Sequence, residues 1–267
     1  MKRKGNVIAI MSPKGGAGKT VTSVNVALAL ALSYSKRILL IDTNITTASL
    51  GFHLNILYPK ITIYDVLKTD FYIAQAIHHY NENLDVIPAT ITIEKEDKDF
   101  STMEERIRRI VNHYDILLST LVKKYDLVIL DSAPGFNQEA FATMQVADCV
   151  LFVANPEYPT IAACVKAVEY AKLLKVPMGG IILNKVRNRA YETSKEEIEK
   201  ALGIKVLQKI PFEEKVSESI ARKIPIVVSA PYNRVSTSYK QLAGILIGQE
   251  YELTLLERFK SFINFFK

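Results

Sequence analysis

The chain has 267 residues, 49% of them hydrophobic, which fits one large α/β domain with at most a tail. Its formal net charge of +6 permits an acidic partner without requiring one, because the basic residues are spread along the chain. The sequence has no run of about 20 apolar residues, which is the length that a membrane-spanning helix needs. The two cysteines, Cys149 and Cys164, lie in apolar segments and form no C-x-x-C pair, so we expect a reducing, cytoplasmic location.

Short apolar runs alternate with helical patterns along the whole chain. The predicted strands cover 7–11, 36–42, 84–88, 125–131, 149–154, 180–184 and 206–211. The predicted helices cover 21–32, part of 43–58, 64–67, 73–77, 100–122 (with an uncertain middle around 112–113), 136–146, 160–174, 196–202, 216–221 and 235–247, the last ending at Gly248, and 91–99 is a predicted loop. Several strands are apolar throughout, as in sheets covered on both faces, so we predict a doubly wound, mostly parallel α/β fold with helices on both faces.

A glycine-rich loop, residues 12–20, joins the first predicted strand to the first predicted helix. Glycines let backbone N–H groups approach phosphate oxygens, and the helix N-terminus adds a positive dipole end. Lys19 would neutralise the β- and γ-phosphates, and the Thr20 hydroxyl would hold Mg²⁺. We therefore predict a nucleotide-binding segment made of Lys14, Gly15, Gly16, Ala17, Gly18, Lys19, Thr20 and Val21.

Two acids, Asp42 and Asp131, each end a strongly apolar predicted strand. Ligands of open α/β sheets bind at the carboxyl ends of the strands, so both carboxylates should face the crevice that holds Lys19 and Thr20. Mg²⁺ prefers oxygen ligands and keeps several waters, which two acids can complement directly or through water. The competing interpretation of each acid is capping of a strand end.

The loop departs from the usual phosphate-loop pattern, because Pro13 stands where that pattern has glycine and a second lysine, Lys14, follows it. This form resembles the deviant Walker A loop of the MinD/ParA family of P-loop ATPases. Further motifs resemble that family in order over about residues 6–230. They are a first switch at 41–50 in the style of archaeal MinD proteins, a second switch at 131–135, and the stretches 155–157, 182–186 and 210–213.

The resemblance implies an ATP hydrolase with ATP and Mg²⁺ as ligands, working as a homodimer bridged by ATP. It gives Lys14 the role of crossing the dimer interface to the partner's nucleotide, and it places Lys19, Asp42 and Asp131 in the catalytic site. It implies that Asn184 reads adenine, which suits an amide with both donor and acceptor atoms. Pro211 and Glu213 belong to the loop that flanks the base in that family.

Asn44 departs from the family, whose first switch carries a second acid at this position that helps to place the attacking water. An amide can orient a water but cannot act as a carboxylate base. We therefore hypothesise that hydrolysis is slow or absent and that the ATP-bound dimer persists. The alternative is that Asn44 is a tolerated loop residue.

The last segment, residues 249–267, follows a predicted ATPase domain of residues 1–248. Its apolar residues share one face at helical spacing: Leu255, Leu256, Phe259, Phe262, Ile263 and Phe266. This amphipathic helix resembles the membrane-targeting tail of MinD proteins, and two tails on one dimer would bind by avidity. The alternative is a last helix docked on the domain.

The resulting prediction is a MinD-like switch that organises position in the cell, such as the division site. It would be cytoplasmic and reversibly membrane-associated, with a protein client or ATPase activator. The alternative is a ParA-like partition ATPase that binds nonspecific DNA, which the terminal helix makes less favoured. A metal–sulfur cluster scaffold of the same fold would need paired cysteine ligands, which Cys149 and Cys164 do not suggest.

Overall fold

The computed structural model describes residues 6–68, 73–89 and 102–253. Its eight strands are β1 (Val7–Met11), β2 (Ile38–Asp42), β3 (His78–Asn81), β4 (Leu84–Ile87), β5 (Leu127–Asp131), β6 (Cys149–Ala154), β7 (Met178–Val186) and β8 (Val206–Pro211). They form one sheet in the order β3-β4-β2-β5-β1-β6-β7-β8. Every neighbouring pair is parallel except β3 and β4, so the predicted mostly parallel sheet is confirmed.

Ten α-helices surround the sheet within the described ranges. They are α1 (Lys19–Ser33), α2 (Leu50–His53), α3 (Ile63–Lys68), α4 (Met103–Leu121), α5 (Gln138–Val146), α6 (Tyr158–Leu173), α7 (Lys195–Leu202), α8 (Glu214–Ala221), α9 (Ile226–Ser229) and α10 (Arg234–Leu246). A 3₁₀ helix at Ile73–Ala76 precedes β3. None of the helices in this part of the chain is long and apolar enough to cross a membrane.

The sheet separates two hydrophobic cores, because successive side chains of a strand point to opposite faces. In β2, Leu39 and Ile41 belong to the core that includes residues of α4, α5, α6 and α7, whereas Ile38 and Leu40 belong to the core that includes residues of α1, α9 and α10. All five residues of β2 and of β5 are buried, as expected for strands covered on both faces. The predicted doubly wound fold with helices on both faces is confirmed.

The structure corrects several predicted elements. Strand β3 was not predicted, because its polar sequence, His78-His79-Tyr80-Asn81, carries no apolar run; it forms an antiparallel edge on β4 with an irregularity between His79 and Asn81. The short α9 was also not predicted. The uncertain middle of the predicted helix 100–122 is continuous in α4, and the predicted strand 180–184 is longer, as β7.

Gly180 lies where β7 and the segment that leads into β8 approach closely. Its φ of +145° is a conformation that side-chain-bearing residues rarely adopt, and a Cβ there would lie 2.7 Å from the Lys205 carbonyl oxygen. Glycine therefore lets β8 approach β7 closely. Before Gly180, Met178 pairs with Val150 of β6, so β7 begins two residues ahead of the predicted strand.

The register of β2 and β5 brings the two predicted site acids together. Asp42 pairs directly with Asp131 at the carboxyl ends of these neighbouring strands. At the other end of the described chain, Tyr251 contacts Tyr34 with ring centroids 6.2 Å apart. The predicted membrane-facing residues of the tail, from Leu255 to Phe266, lie outside the described residues.

Candidate functional site

The glycine-rich loop turns sharply between β1 and α1. Gly16 and Gly18 have φ values of +77° and +93°, and Gly18 is the N-cap residue of α1. A Cβ at Gly18 would lie 2.1 Å from Asn184 Nδ2, so both the backbone conformation and the close packing require glycine here. The loop thus presents backbone N–H groups and the positive end of α1 to one point.

Lys19 and Asp131 form a buried ion pair behind the loop. The Lys19 Nζ lies 3.1 Å from Asp131 Oδ1, and Ser23 Oγ donates to the same oxygen at 2.8 Å. Asp131 Oδ2 is buried and has no hydrogen-bond partner among the described residues. A buried carboxylate oxygen without a partner is costly, so this atom is suited to a cation or a bound water.

Asp42 is fully buried beside Asp131. Its Oδ1 accepts from the Asn44 N–H at 3.0 Å, and its Oδ2 accepts from the Leu50 N–H at 3.2 Å. Burial and, to a smaller extent, the nearby Asp131 charge raise its pKa from 3.8 to about 7, although the two N–H donors and Lys19 oppose the shift. Thr20 Oγ1 lies 3.3 Å from Ser49 Oγ, on the side of the first switch.

Asn44 folds the first switch onto itself. Its Nδ2 donates to the Thr47 carbonyl at 2.8 Å, while its Oδ1 accepts from Thr47 N and Oγ1 at 3.3 and 3.0 Å. The side chain is nearly buried and lines the cavity described below. In this conformation both ends of the amide serve the loop, so orienting a water would require some of these bonds to open.

Two residues at the end of β7 hold the phosphate loop from behind. Asn184 Nδ2 donates to the Ala17 carbonyl, and Lys185 Nζ donates to the Gly16 carbonyl, both at 2.8 Å. Because these bonds hold the two carbonyls toward β7, the loop N–H groups face the side opposite to β7. Sequence reasoning assigned Asn184 to adenine alone and did not identify Lys185, which lies inside the 182–186 motif.

Lys14 stands at the head of the loop, and its Nζ lies 3.9 Å from Glu157 Oε2 within the same chain. Both side chains are about half exposed, so the pair is a weak surface contact.

A cavity of about 520 Å³ opens over the loop and α1. Its lining includes the whole predicted segment 14–21 and four other predicted residues, namely Asn44, Asn184, Pro211 and Glu213. Asp42 and Asp131 are not part of the lining, because they are buried beneath it. Four further lining residues lie within the predicted motifs without having been named as site residues: Thr47, Ser49, Lys185 and Phe212. The sequence analysis missed other lining residues, among them His53, Val216 and Tyr239.

Two arginines contact Phe212 and Glu213, which form one wall of the cavity. The Arg187 guanidinium lies 3.7 Å from the centre of the Phe212 ring, and Arg234 forms an ion pair with Glu213. On the near wall, burial lowers the pKa of His53, which favours its neutral form. The sequence analysis identified Glu213 and the motif that contains Phe212, but it did not identify His53, Arg187 or Arg234, whose contacts join segments that are apart in the chain.

A glycine-rich loop between a parallel strand and a helix, with a buried lysine and strand-end acid, defines a P-loop nucleotide-binding protein. Comparison with known families agrees: the AAA domain model matches residues 5–176, and the model of 4Fe-4S iron sulfur cluster binding proteins, NifH/frxC family, matches residues 114–257. The chain belongs to the MinD/ParA family of P-loop ATPases.

Similar sequences span nearly the whole chain. An ATP-binding protein of Methanocaldococcus jannaschii is 30% identical over 263 residues, covering 97% of this chain and 95% of the relative. The septum site-determining protein MinD of Bacillus subtilis is 27% identical, covering 95% and 93%. The chromosome partitioning protein ParA of Myxococcus xanthus is 30% identical over 195 residues, covering 70% and 67%.

Solved structures share the architecture. The cell division ATPase MinD of Pyrococcus furiosus superposes with a TM-score of 0.82 at 25% identity, over 92% of this chain and 99% of that one. MinD of Pyrococcus horikoshii, solved as a complex with Mg-ADP, gives 0.79 at 25% identity, over 91% and 96%.

The two cysteines form no disulfide with each other. Cys149 lies on β6 and Cys164 on α6, both as free thiols. Burial raises the pKa of Cys164 to about 12, which disfavours the thiolate that ligates metals. Within the described ranges there is also no cluster of three or more histidine, cysteine or acidic residues arranged to hold a metal ion.

Proposed function

We propose that this chain is a MinD-like ATPase: ATP and Mg²⁺ drive it to dimerise and to attach reversibly to an anionic membrane surface, where it organises cellular position with a protein client. The observation that carries the nucleotide part is the phosphate loop, with Lys19 already paired to Asp131 at 3.1 Å beneath it. The whole-length similarity to MinD proteins supports the rest.

The loop residues 14–21 would hold the phosphates, and Thr20, Asp42 and Asp131 would hold Mg²⁺ directly or through water. The unpartnered Asp131 Oδ2 fits this assignment, because a cation or its water would satisfy it. Bound Mg²⁺ would supply positive charge to the phosphate oxygens. The chain's own part is to place Lys19 and the loop N–H groups at the same oxygens.

Asn184, Pro211 and Glu213 would surround the base. The bond from Asn184 to the Ala17 carbonyl uses one of its two amide hydrogens. Within the described ranges, its Oδ1 and its other N–H have no hydrogen-bond partner, and together they are the donor and acceptor pair that an adenine edge needs. One side chain could therefore tie the phosphate loop to the base.

Slow hydrolysis is the part of the proposal that rests on Asn44. An aspartate there could still accept from Thr47 N and Oγ1, but it would lose the donated bond to the Thr47 carbonyl and free a carboxylate for the attacking water. We expect faster phosphate release for Asn44→Asp than for the unmodified chain. Equal rates would refute the idea that Asn44 limits hydrolysis.

Sedimentation with anionic liposomes tests the membrane part. We expect the full chain to pellet best with ATP and Mg²⁺, less with ADP and least without nucleotide, and a chain cut after Gly248 to stay in the supernatant. As a matched pair, Phe262→Ser on the apolar face should reduce pelleting, whereas Asn264→Ser on the polar face should not. If the full chain does not pellet, the membrane part of the proposal is refuted, and a tail docked on the domain becomes the favoured alternative.

A ParA-like function is the second candidate, favoured by the similarity to the chromosome partitioning protein and by the net charge of +6. Its ATP-bound dimer would bind DNA through surface lysines, mainly through phosphates and therefore with strong salt dependence. Cosedimentation with DNA instead of liposomes, under the same nucleotide conditions, separates the two functions.

A further inference from the structure

Helix α5 follows the second switch closely in the chain, so a movement of that switch would displace the start of the helix. It begins at Gln138, a few residues after that switch, and its N-cap Asn137 accepts from the Ala140 N–H at 2.8 Å. Glu139 lies in the first turn of this helix, where the helix dipole stabilises a negative charge.

The Glu139 carboxylate binds the first switch rather than solvent. Its Oε2 accepts from the Ile45 N–H at 3.1 Å, and its Oε1 accepts from the Thr46 N–H at 3.1 Å and from Thr46 Oγ1 at 2.5 Å. These bonds join residues more than 90 positions apart in the chain. Both carboxylate oxygens are used, so the contact is bidentate and specific in direction.

A second contact from α5 holds the base of the same switch. Thr143 Oγ1 lies 2.9 Å from Thr43 Oγ1, and Thr43 donates to the Asp131 carbonyl at 2.9 Å. Thr43 and Thr143 are fully buried, whereas the Thr46 contact lies at the surface. The buried contact is the fixed end of the switch, and Glu139 holds the end that can open.

We propose that Glu139 is a positioning residue that fixes the first switch on α5 and so sets the place of Asn44 in the cavity wall. Ile45 and Thr46 directly follow Asn44, so their attachment determines where the Asn44 loop closes on Thr47. Because α5 follows the second switch directly, a displacement of that switch moves Glu139 and is transmitted to Asn44. The effect of Glu139 on hydrolysis rests on the proposed nucleotide function. The contact between Glu139 and the first switch does not depend on that function.

Amide hydrogen exchange in the nucleotide-free chain tests the contact directly. We expect the Ile45 and Thr46 amides to exchange at least about tenfold faster in Glu139→Ala, as for loss of a charge-assisted hydrogen bond. Glu139→Asp keeps the charge but shortens the side chain by one methylene, so it should lose protection too. Gln145→Ala, an exposed change on the same helix, is the control.

Exchange within about twofold of the unmodified chain in both Glu139 variants would overturn the proposal. If Glu139→Ala does not fold, Glu139→Asp decides alone. In the active chain, Glu139→Asp should lower kcat for phosphate release while the KM for ATP stays within about twofold, since the phosphate loop is untouched. If the unmodified chain does not bind ATP, the proposed function fails, whereas the exchange result, measured without nucleotide, still decides the role of Glu139.

Discussion

At the scale of single residues, the phosphate loop depends on positions where only glycine fits. The positive φ of Gly18 and the nearby Asn184 amide restrict this position to glycine. A Cβ at Gly15, by contrast, would meet nothing within 4 Å. These two glycines read alike in the sequence. Only the fold shows that one is obligatory and the other is permissive.

We therefore expect Gly18→Ala to lower the free energy of unfolding by about 1–2 kcal/mol from its backbone conformation alone. The clash with Asn184 should also displace the loop and abolish the thermal shift that ATP produces. Gly15→Ala is the control for the stability measurement alone and should leave the free energy of unfolding nearly unchanged, because a Cβ there meets nothing within 4 Å. A normal ATP shift in Gly18→Ala would contradict the geometry described for this loop. Thermal denaturation with and without ATP measures both effects.

Asp42 links stability to pH. A carboxyl whose pKa rises on folding, here from 3.8 to about 7, keeps a proton in the folded state that the unfolded chain has lost. Its contribution to stability is therefore complete below about pH 4 and declines as pH rises toward 7.

We expect the unmodified chain to lose about 2 kcal/mol relative to Asp42→Asn between pH 5 and pH 7, since each pKa unit corresponds to about 1.4 kcal/mol. Urea unfolding in the presence of a chelator measures this difference. Glu169→Gln, an exposed change on α6, should run parallel to the unmodified chain. Parallel curves for Asp42→Asn as well would refute the pKa shift.

At the scale of elements, some helices and strands are determined by local sequence signals and others by tertiary contacts. Helix α7 is determined locally: Ser194 accepts from the Glu197 N–H, and the Glu197 carboxylate accepts from the Ser194 N–H at 2.9 Å. Such a capping box can be read directly from the sequence. Strand β3 is the opposite case, because its polar residues become a strand only by pairing with β4.

Removing the cap of α7 should cost about 1 kcal/mol of folding free energy in Ser194→Ala, because one helix N–H loses its acceptor. Nucleotide binding should not change, since α7 does not line the cavity. Thr193→Ala, one residue earlier, serves as the control. Chemical denaturation of the three proteins decides, and equal midpoints for all would show that the box is dispensable.

At the scale of the whole molecule, the proposed dimer depends on Lys14. Among the described residues, the Lys14 side chain forms one ion pair, a 3.9 Å contact with Glu157, and it is 51% exposed, so it can reach a partner's nucleotide. A surface pair of this kind contributes little to stability.

Lys14→Ala should therefore leave the folded monomer intact while it prevents ATP-dependent dimerisation. Sedimentation velocity with ATP and Mg²⁺ should show a dimer for the unmodified chain and for Lys166→Ala, an exposed change on α6, but a monomer for Lys14→Ala. A dimer of Lys14→Ala with unchanged affinity would remove Lys14 from the interface.

The sequence by itself determined the doubly wound fold and the phosphate loop, together with the two strand-end acids. Apolar runs, glycine spacing and helix patterns are local, and a parallel sheet brings its carboxyl ends together. Only the tertiary structure showed that Asn184 and Lys185 brace the loop, that Asn44 closes on Thr47 and that Glu139 holds the first switch. These contacts join segments as far as 169 residues apart, and hydrogen-bond geometry between distant segments leaves no periodic trace in the chain.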